Sequence, residues 1–375
     1  MQRNKYKHLT DDEWRWFLQQ VEGRERTADK LPTFAVMEDW WYPVRLSCEQ
    51  CSSEMTARYK ASLASGERMV DLTAGYGVDT YFLSENFQSA DYVEQNEELC
   101  RIAAHNFSLQ PSTISIHNTT AEGFLSAAGQ YDLIYLDPAR RDSHGGKVFR
   151  IQDCRPNAAE LLPTLLQHLR SNGRVLIKLS PMLDITQATA ALSTVCWDVH
   201  VVAVKNEVKE VLLFSHQPSV VSHQTITAID LAEPEKAFSF TREEEREAEC
   251  HMVNGKCENG IWLYEPDAAI LKAGAYKLVA ARFGLQKLDV NTHLYVSDRL
   301  VKEFPGRIWR IDDSQEFRAK SQANVLTRNY PLTPEQLKKK LHLRDGGTDY
   351  IIGCRVAGKP TLFSAKRIED IHPEG

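Results

Sequence analysis

Met69-Val70-Asp71-Leu72-Thr73-Ala74-Gly75-Tyr76-Gly77-Val78-Asp79 decides how this chain is read. The stretch runs from an apolar strand into a turn with two glycines, then into residues of helical pattern. Glu94 comes 23 residues after Asp71 and closes a second strand-like run, Ala90-Asp91-Tyr92-Val93-Glu94. Glycines after a first strand let the backbone approach a ligand closely, and an acidic residue ending the next strand can grip ribose hydroxyls. No third glycine opens the helix, where Val78-Asp79-Thr80 stand instead. That glycine belongs to ligands whose pyrophosphate rests on the helix N-terminus. Its absence, with Asp71 and Asp79 flanking the loop, disfavours an anionic pyrophosphate and suits a cationic, amine-bearing nucleoside.

S-adenosylmethionine is a ligand of that kind. A second motif follows: Tyr131-Asp132-Leu133-Ile134-Tyr135-Leu136 reads as a buried strand ending in the corner Asp137-Pro138-Ala139-Arg140. In an open α/β sheet, ligands sit beyond the carboxyl ends of the strands. Asp71, Glu94 and Asp137 are therefore expected to rim one crevice. Singly, a Gly-x-Gly turn or an Asp-Pro corner is a weak signal; three strand-end acids in succession are a stronger one.

On these residues the chain resembles the class I S-adenosylmethionine-dependent methyltransferases, and more narrowly the bacterial ones with a THUMP-like C-terminal domain. Further similar motifs are Glu49-Gln50-Cys51-Ser52-Ser53-Glu54, Tyr264-Glu265-Pro266-Asp267-Ala268-Ala269 and Phe304-Pro305-Gly306-Arg307, so the likeness covers most of the chain. The first motif also resembles that of a ribosomal RNA guanine-N2 methyltransferase. The resemblance implies a doubly wound seven-stranded sheet whose last strand is antiparallel. Patterning leads there independently, with strands near 68–72, 90–94, 113–117, 132–136, 174–179, 199–204 and 210–215. Only Lys205-Asn206-Glu207-Val208-Lys209 separates the last two, too short for a crossover helix, which predicts an antiparallel hairpin.

The expected organisation is an N-terminal helical segment over 1–65, a methyltransferase domain over 66–220 and a connector over 221–262. A small ferredoxin-like α/β module over 263–325 and a THUMP-like module over 326–375 follow. Thr10 and Glu13 form a capping-box pattern ahead of Trp14, Phe17, Leu18 and Val21 at helical spacing. Trp40-Trp41-Tyr42 is an aromatic cluster suited to packing or to base stacking. A helix is expected over 266–283, and another with Thr333 as N-cap and Pro334 in its first turn.

At 375 residues, 42% hydrophobic and 26% charged, the chain reads as a globular protein of two or three domains. It has no apolar run of membrane-spanning length, so a cytoplasmic protein without membrane contact is expected. Eight cysteines without dense spacing read as reduced thiols. The net charge of −6 is unevenly spread: from Arg282 onward 17 Lys/Arg face 12 Asp/Glu, a balance of +5. A basic C-terminal module on an acidic body is compatible with RNA at one end. Oligomeric state is not legible.

The cofactor-binding candidates are Asp71, Thr73, Ala74, Gly75, Gly77, Asp79, Glu94, Thr120, Ala121 and Asp137. Asp71 is expected to orient the methionine ammonium, directly or through water, and the glycines to leave room beside it. Glu94 is expected to accept from both ribose hydroxyls. The resemblance implies an acidic residue before an alanine as the adenine contact, but a threonine stands here. Thr120, Ala121 and Glu122 remain open for that role, with a helix cap as the plain alternative.

The catalytic candidates are Asp137, Pro138 and Arg140, and the resemblance gives that role to the Asp137-Pro138 corner. Where such enzymes methylate an exocyclic amine, an Asp or Asn before Pro accepts the amine N–H and aims its lone pair. Here the usual aromatic residue after Pro is missing. Arg140 or Arg141 is expected to hold a phosphate or stack on a base, or to pair with neighbouring acids. Pyrimidine C5 methylation needs a thiolate nucleophile, and Lys178-Leu179-Ser180-Pro181-Met182-Leu183-Asp184 after the fifth strand holds none. Neither Cys48 with Cys51 nor Cys250, His251 and Cys257 has zinc spacing, so no metal is expected.

The expected function is S-adenosylmethionine-dependent methylation of RNA, ribosomal or transfer, at an exocyclic base nitrogen. The alternatives are a small-molecule or protein methyltransferase whose C-terminal module is a lid or dimer interface, and a non-catalytic RNA-binding protein.

Overall fold

The computed structural model of the chain describes residues 8–109, 112–139, 150–215, 224–255, 260–312 and 321–370. Two compact units divide it: residues 1–199 with 210–223, and 200–209 with 224–375.

The first sheet begins with β1 (Gly66–Asp71), β2 (Phe87–Glu94), β3 (Ile114–Asn118), β4 (Tyr131–Leu136) and β5 (Leu169–Leu179). These pair in parallel, β3 on β2, β2 on β1, β1 on β4 and β4 on β5. Next come β6 (Trp197–Val204), β7 (Glu207–Ser215), β8 (Thr225–Asp230) and β9 (Phe238–Thr241), with β7 antiparallel to β5 and β9 to β8. The strand order is β3-β2-β1-β4-β5-β7-β6-β8-β9.

Among the described residues this sheet has nine strands where seven are expected, because 221–262 is not a bare connector. Thr225-Ile226-Thr227-Ala228-Ile229-Asp230 is β-branched and alternating, with Ile226 and Ala228 buried. The neighbouring charge run dominates the composition and hides that strand. The run itself starts a short helix, Arg242–Glu247, capped reciprocally by Thr241 and Glu244.

Parallel strands read as apolar runs because both faces are covered, and Met69, Val70, Leu133, Ile134, Val175, Leu176 and Ile177 are fully buried. Polar caps start the crossover helices: Asn96 for Glu97–Ser108, Asn157 for Ala158–Gln167 and Asp184 for Ile185–Ala191.

The capping box of Thr10 and Glu13 is present and starts the helix Asp11–Thr27. The aromatic cluster after it packs rather than facing solvent. Trp40 stacks on Phe34 with ring centroids 4.2 Å apart and donates its indole N–H to the Tyr76 hydroxyl at 2.8 Å. Trp41 stacks on His105 at 3.6 Å. Ser53 caps the next helix of note, Glu54–Ser62.

In the second unit β10 (Trp262–Pro266), β11 (Gln286–Asp289), β12 (Thr292–Ser297), β13 (Gly306–Ile311), β14 (Asn324–Arg328), β15 (Asp349–Val356) and β16 (Lys359–Arg367) form one sheet. Its order is β11-β12-β10-β13-β16-β15-β14. The helix expected over 266–283 is broken in two, Ala268–Ala273 and Leu278–Phe283, because Gly274 turns left-handed at φ 84° and ends the first. Thr333 caps Pro334–Lys340. Gly306 explains one sequence motif. At φ 150° it pairs with Pro266 across β10 and β13, and a Cβ there would lie 2.1 Å from the Glu265 carbonyl oxygen. Among the described residues, no helix is long and apolar enough to cross a membrane.

Candidate active site

Register places the strand-end acids. Asp71 stands level with Tyr92 of β2 and Tyr135 of β4. Glu94 and Asp137 each lie two residues further on, so they flank the loop that leaves β1. Here the strand order reverses direction around β1, the position where open α/β sheets bind ligands.

Hydrogen bonds stitch this loop to both neighbours. Asp71 accepts from the Thr73 amide at 3.0 Å and from the Thr80 hydroxyl at 2.6 Å. Thr73 Oγ1 accepts from the Asp137 amide at 2.6 Å, and the Ala74 amide donates to the Val93 carbonyl at 3.1 Å. Glu94 Oε2 accepts from the Gly75 amide at 3.0 Å and Oε1 from the Asn96 amide at 2.8 Å. The Tyr92 hydroxyl donates to the Gly75 carbonyl at 2.6 Å.

The two glycines have different reasons to be there. Gly75 turns left-handed at φ 57°, and a Cβ would meet nothing nearer than the Thr73 carbonyl oxygen at 3.9 Å. Gly77, at φ 85°, lies against Phe107, whose Cζ would be 2.8 Å from a Cβ. The room expected beside Gly77 is therefore taken by a ring of the helix Glu97–Ser108.

Asp71 is almost wholly buried, and burial pushes its carboxyl up to about 7. Hydrogen bonds from Thr80 and Thr73 oppose this, while the charges of Asp79 and Asp137 add to it.

Asp79 faces a buried ionic cluster. Its Oδ2 accepts from the Ser52 hydroxyl at 2.8 Å and the Tyr135 hydroxyl at 2.7 Å. Lys60 Nζ lies 3.2 Å from Oδ1, at ion-pair distance but without hydrogen-bond alignment. The same ammonium contacts both Glu210 oxygens at 2.7 and 2.8 Å. Burial alone would raise Asp79; Lys60 and then Lys178 outweigh it and hold the carboxyl below its ordinary value. For Glu210 burial wins, and its carboxyl is raised.

Asp137 is about one-third exposed and its carboxylate pairs with Lys178 near the end of β5. Burial works against the lysine charge, but Asp137, Asp79 and Glu210 together raise its pKa above the usual lysine value. Pro138 is buried and fixes the corner. Arg140 and Arg141 lie outside the described residues. On the other flank, Thr120 caps the helix Ala121–Leu125 by accepting from the Gly123 amide at 3.1 Å, and Ala121 is buried. Asn118 donates to the Glu94 carbonyl at 3.0 Å.

The structure thus gathers Asp71, Thr73, Ala74, Gly75, Glu94 and Asp137 around one loop and sets the Asp79 carboxylate into the cluster beneath. Sequence reading missed Lys178, Lys60, Ser52 and Glu210. A signal existed for two of them: Lys178 interrupts the apolar run Val175-Leu176-Ile177, and Glu210 precedes Val211-Leu212-Leu213-Phe214. A charge in such a strand needs a buried partner.

A family model described as a ferredoxin-like domain matches residues 262–305, and one described as THUMP domain-like matches 306–367. The chain is 32% identical to a Porphyromonas gingivalis W83 protein of known crystal structure, assigned as a methyltransferase. That likeness covers 96% of this chain and 92% of the other, with a TM-score of 0.83. Two Mycobacterium tuberculosis proteins, from strains CDC 1551 and H37Rv, are named uncharacterized S-adenosylmethionine-dependent methyltransferases. Each is 23% identical over 346 residues, covering 88% of this chain and 89% of the relative.

Proposed function

Because the chain belongs to the class I S-adenosylmethionine-dependent methyltransferases with a THUMP-like C-terminal domain, we propose that it methylates RNA at an exocyclic base nitrogen. The observation that carries this reading is the placement of Glu94 and Asp137 on opposite sides of the loop 72–77, each hydrogen-bonded to it.

The residues fit S-adenosylmethionine in chemistry. The crevice offers carboxylates and turn carbonyls, which suit a cationic nucleoside, and the face of Gly75 is open. Glu94 oxygens each hold one backbone amide and keep lone pairs for the ribose hydroxyls. Thr73, Ala74 and Gly75 line the methionine side, and Thr120 or Ala121 borders adenine. Asp71 acts through its field and through the Thr73 amide. Asp79, occupied below the loop, supports it rather than touching the ligand. When bound, S-adenosylmethionine supplies an electrophilic methyl group on a sulfonium that leaves as a neutral thioether. Asp137 accepts the N–H of the target amine and aims its lone pair, the positioning on which such a displacement depends. The proton shed by the product amine passes to water.

Cofactor affinity is expected to depend on pH through Asp71. Its carboxyl is protonated below about 7 and offers charge to the methionine ammonium only above that. Affinity should therefore rise several-fold between about pH 6 and 8 in the wild type, and this rise should vanish in Asp71→Asn. The sign is opposite for apo stability. A raised carboxyl pKa contributes stability that is present below the unfolded value and lost as pH climbs to about 7. Calorimetry of both proteins at the two pH values checks this; parallel pH profiles would remove Asp71 from the site.

RNA as substrate rests on the THUMP-like match and on the basic balance of the C-terminal region. Lys339, Lys340, Arg344 and Lys359 are exposed there. Lys338, Lys366 and Arg367 pair with Asp345, Asp349 and Glu369. That pairing favours a second reading, a small-molecule or protein methyltransferase with a solvated C-terminal surface. Salt separates the two. Phosphate tracking by four to eight cations should cost RNA affinity at least about tenfold between 50 and 200 mM salt through counterion release. Truncation near Gln315 should abolish RNA binding. Salt-independent binding, or none, would favour the second reading. A substrate of ribosomal or transfer RNA would place the enzyme in the cytoplasm.

A further inference from the structure

We propose that Lys178 is a positioning residue for methyl transfer: it holds the Asp137 carboxylate by one oxygen so that the other faces the acceptor nitrogen. The inference rests on the acceptor-side role of Asp137.

Lys178 sits near the carboxyl end of β5, level with Leu212 of β7, and its side chain is only 14% exposed. Its ammonium donates to Asp137 Oδ2. A lysine so placed could in principle serve a structural cluster instead, but that post is filled. Lys60 spans Glu210 and Asp79 from the helix Glu54–Ser62, with Ser52 and Tyr135 completing the Asp79 contacts. Lys178 adds a second cation where three carboxylates, Asp137, Asp79 and Glu210, converge, and it bonds to the one at the crevice.

The main chain fixes the other end of Asp137. Its amide donates to Thr73 Oγ1, and Pro138 behind it is buried. Backbone and one carboxylate oxygen are thus both held, which leaves Oδ1 as the acceptor. Orientation of this kind matters because small misplacements of a reacting group cost rate steeply. Lys178 does not itself take the proton. The surrounding carboxylates keep it charged at neutral pH, and an ammonium has no lone pair to offer.

The test is a double-mutant cycle in the full-length protein. Methyl transfer is followed with labelled S-adenosylmethionine into an extract of cells lacking the protein, counted over RNA, protein and small-molecule fractions together. Lys178→Met should lower kcat by about 30-fold or more, with cofactor affinity by calorimetry held within about threefold, and Lys178→Arg should recover most of the loss. In an Asp137→Ala background the same Lys178→Met change should cost little further, because residues acting as one unit are not additive. Removing both charges together also avoids leaving the Asp137 carboxylate without its cation, and Lys178→Gln substitutes if Lys178→Met does not fold. Full activity in Lys178→Met, multiplied losses in the double variant, or cofactor affinity falling in step with kcat would each overturn the inference. An active Asp137→Ala would overturn the acceptor-side reading and this inference with it; an inactive Asp137→Ala beside an active Lys178→Met would overturn the inference alone.

Discussion

Replacing Asp137 with alanine is expected to reduce methyl transfer by about a thousandfold while cofactor affinity stays within about threefold. The proposed acceptor-side role separates the two effects, because the carboxylate bonds to Lys178 rather than to the loop. What ties Asp137 to that loop is its amide on Thr73, which alanine keeps. Single-turnover kinetics with calorimetry on the same preparation checks this. If cofactor affinity collapses along with rate, Asp137 belongs to the cofactor site or to the structure. Removing the carboxylate leaves Lys178 without its nearest anion, so thermal unfolding should accompany the measurement.

The second large effect is on the cofactor side. Glu94→Ala is expected to weaken S-adenosylmethionine and S-adenosylhomocysteine by more than tenfold, since losing paired charge-assisted hydrogen bonds costs roughly 1.5–3 kcal/mol. Part of that loss is indirect. The Gly75 and Asn96 amides both donate to this carboxylate, so alanine also releases the turn. Glu94→Gln keeps the shape and one acceptor oxygen, and should fall between wild type and alanine. Calorimetry giving wild-type affinity for Glu94→Ala would remove Glu94 from the site.

What the sequence reveals here is what local pattern encodes. Strand ends are legible because apolar runs stop at a polar residue, which places Asp71, Glu94 and Asp137 at one edge of the sheet. Caps are legible for the same reason: Thr10 with Glu13, and Thr333 with Pro334, act within one helical turn. The strand Thr225–Asp230 was hidden because a charge run nearby set the composition of its window. The break at Gly274 was hidden because alanines on both sides keep helical propensity high.

The buried cluster was out of reach for a different reason. Lys60 and Glu210 are 150 positions apart and meet only once the sheet is formed. Lys60 taken singly looks like an ordinary surface charge, and Glu210 signals a buried partner without naming it. Asp79 shows the consequence. Beside the glycine turn it reads as a ligand contact, yet Ser52, Tyr135 and Lys60 use its carboxylate below the loop. Gly77 is similar, since only the fold brings Phe107 against it. Sequence proximity to a motif marks a loop but not which of its side chains the fold turns into the ionic cluster.

Mass spectrometry of the modified nucleosides in total RNA, from cells with and without this protein, tests most directly whether the chain methylates RNA at an exocyclic nitrogen. The expected result is the loss of one N-methylated nucleoside without the protein and its return with wild type but not with Asp137→Ala. An unchanged nucleoside profile, with label from S-adenosylmethionine entering protein or a small molecule instead, would contradict it.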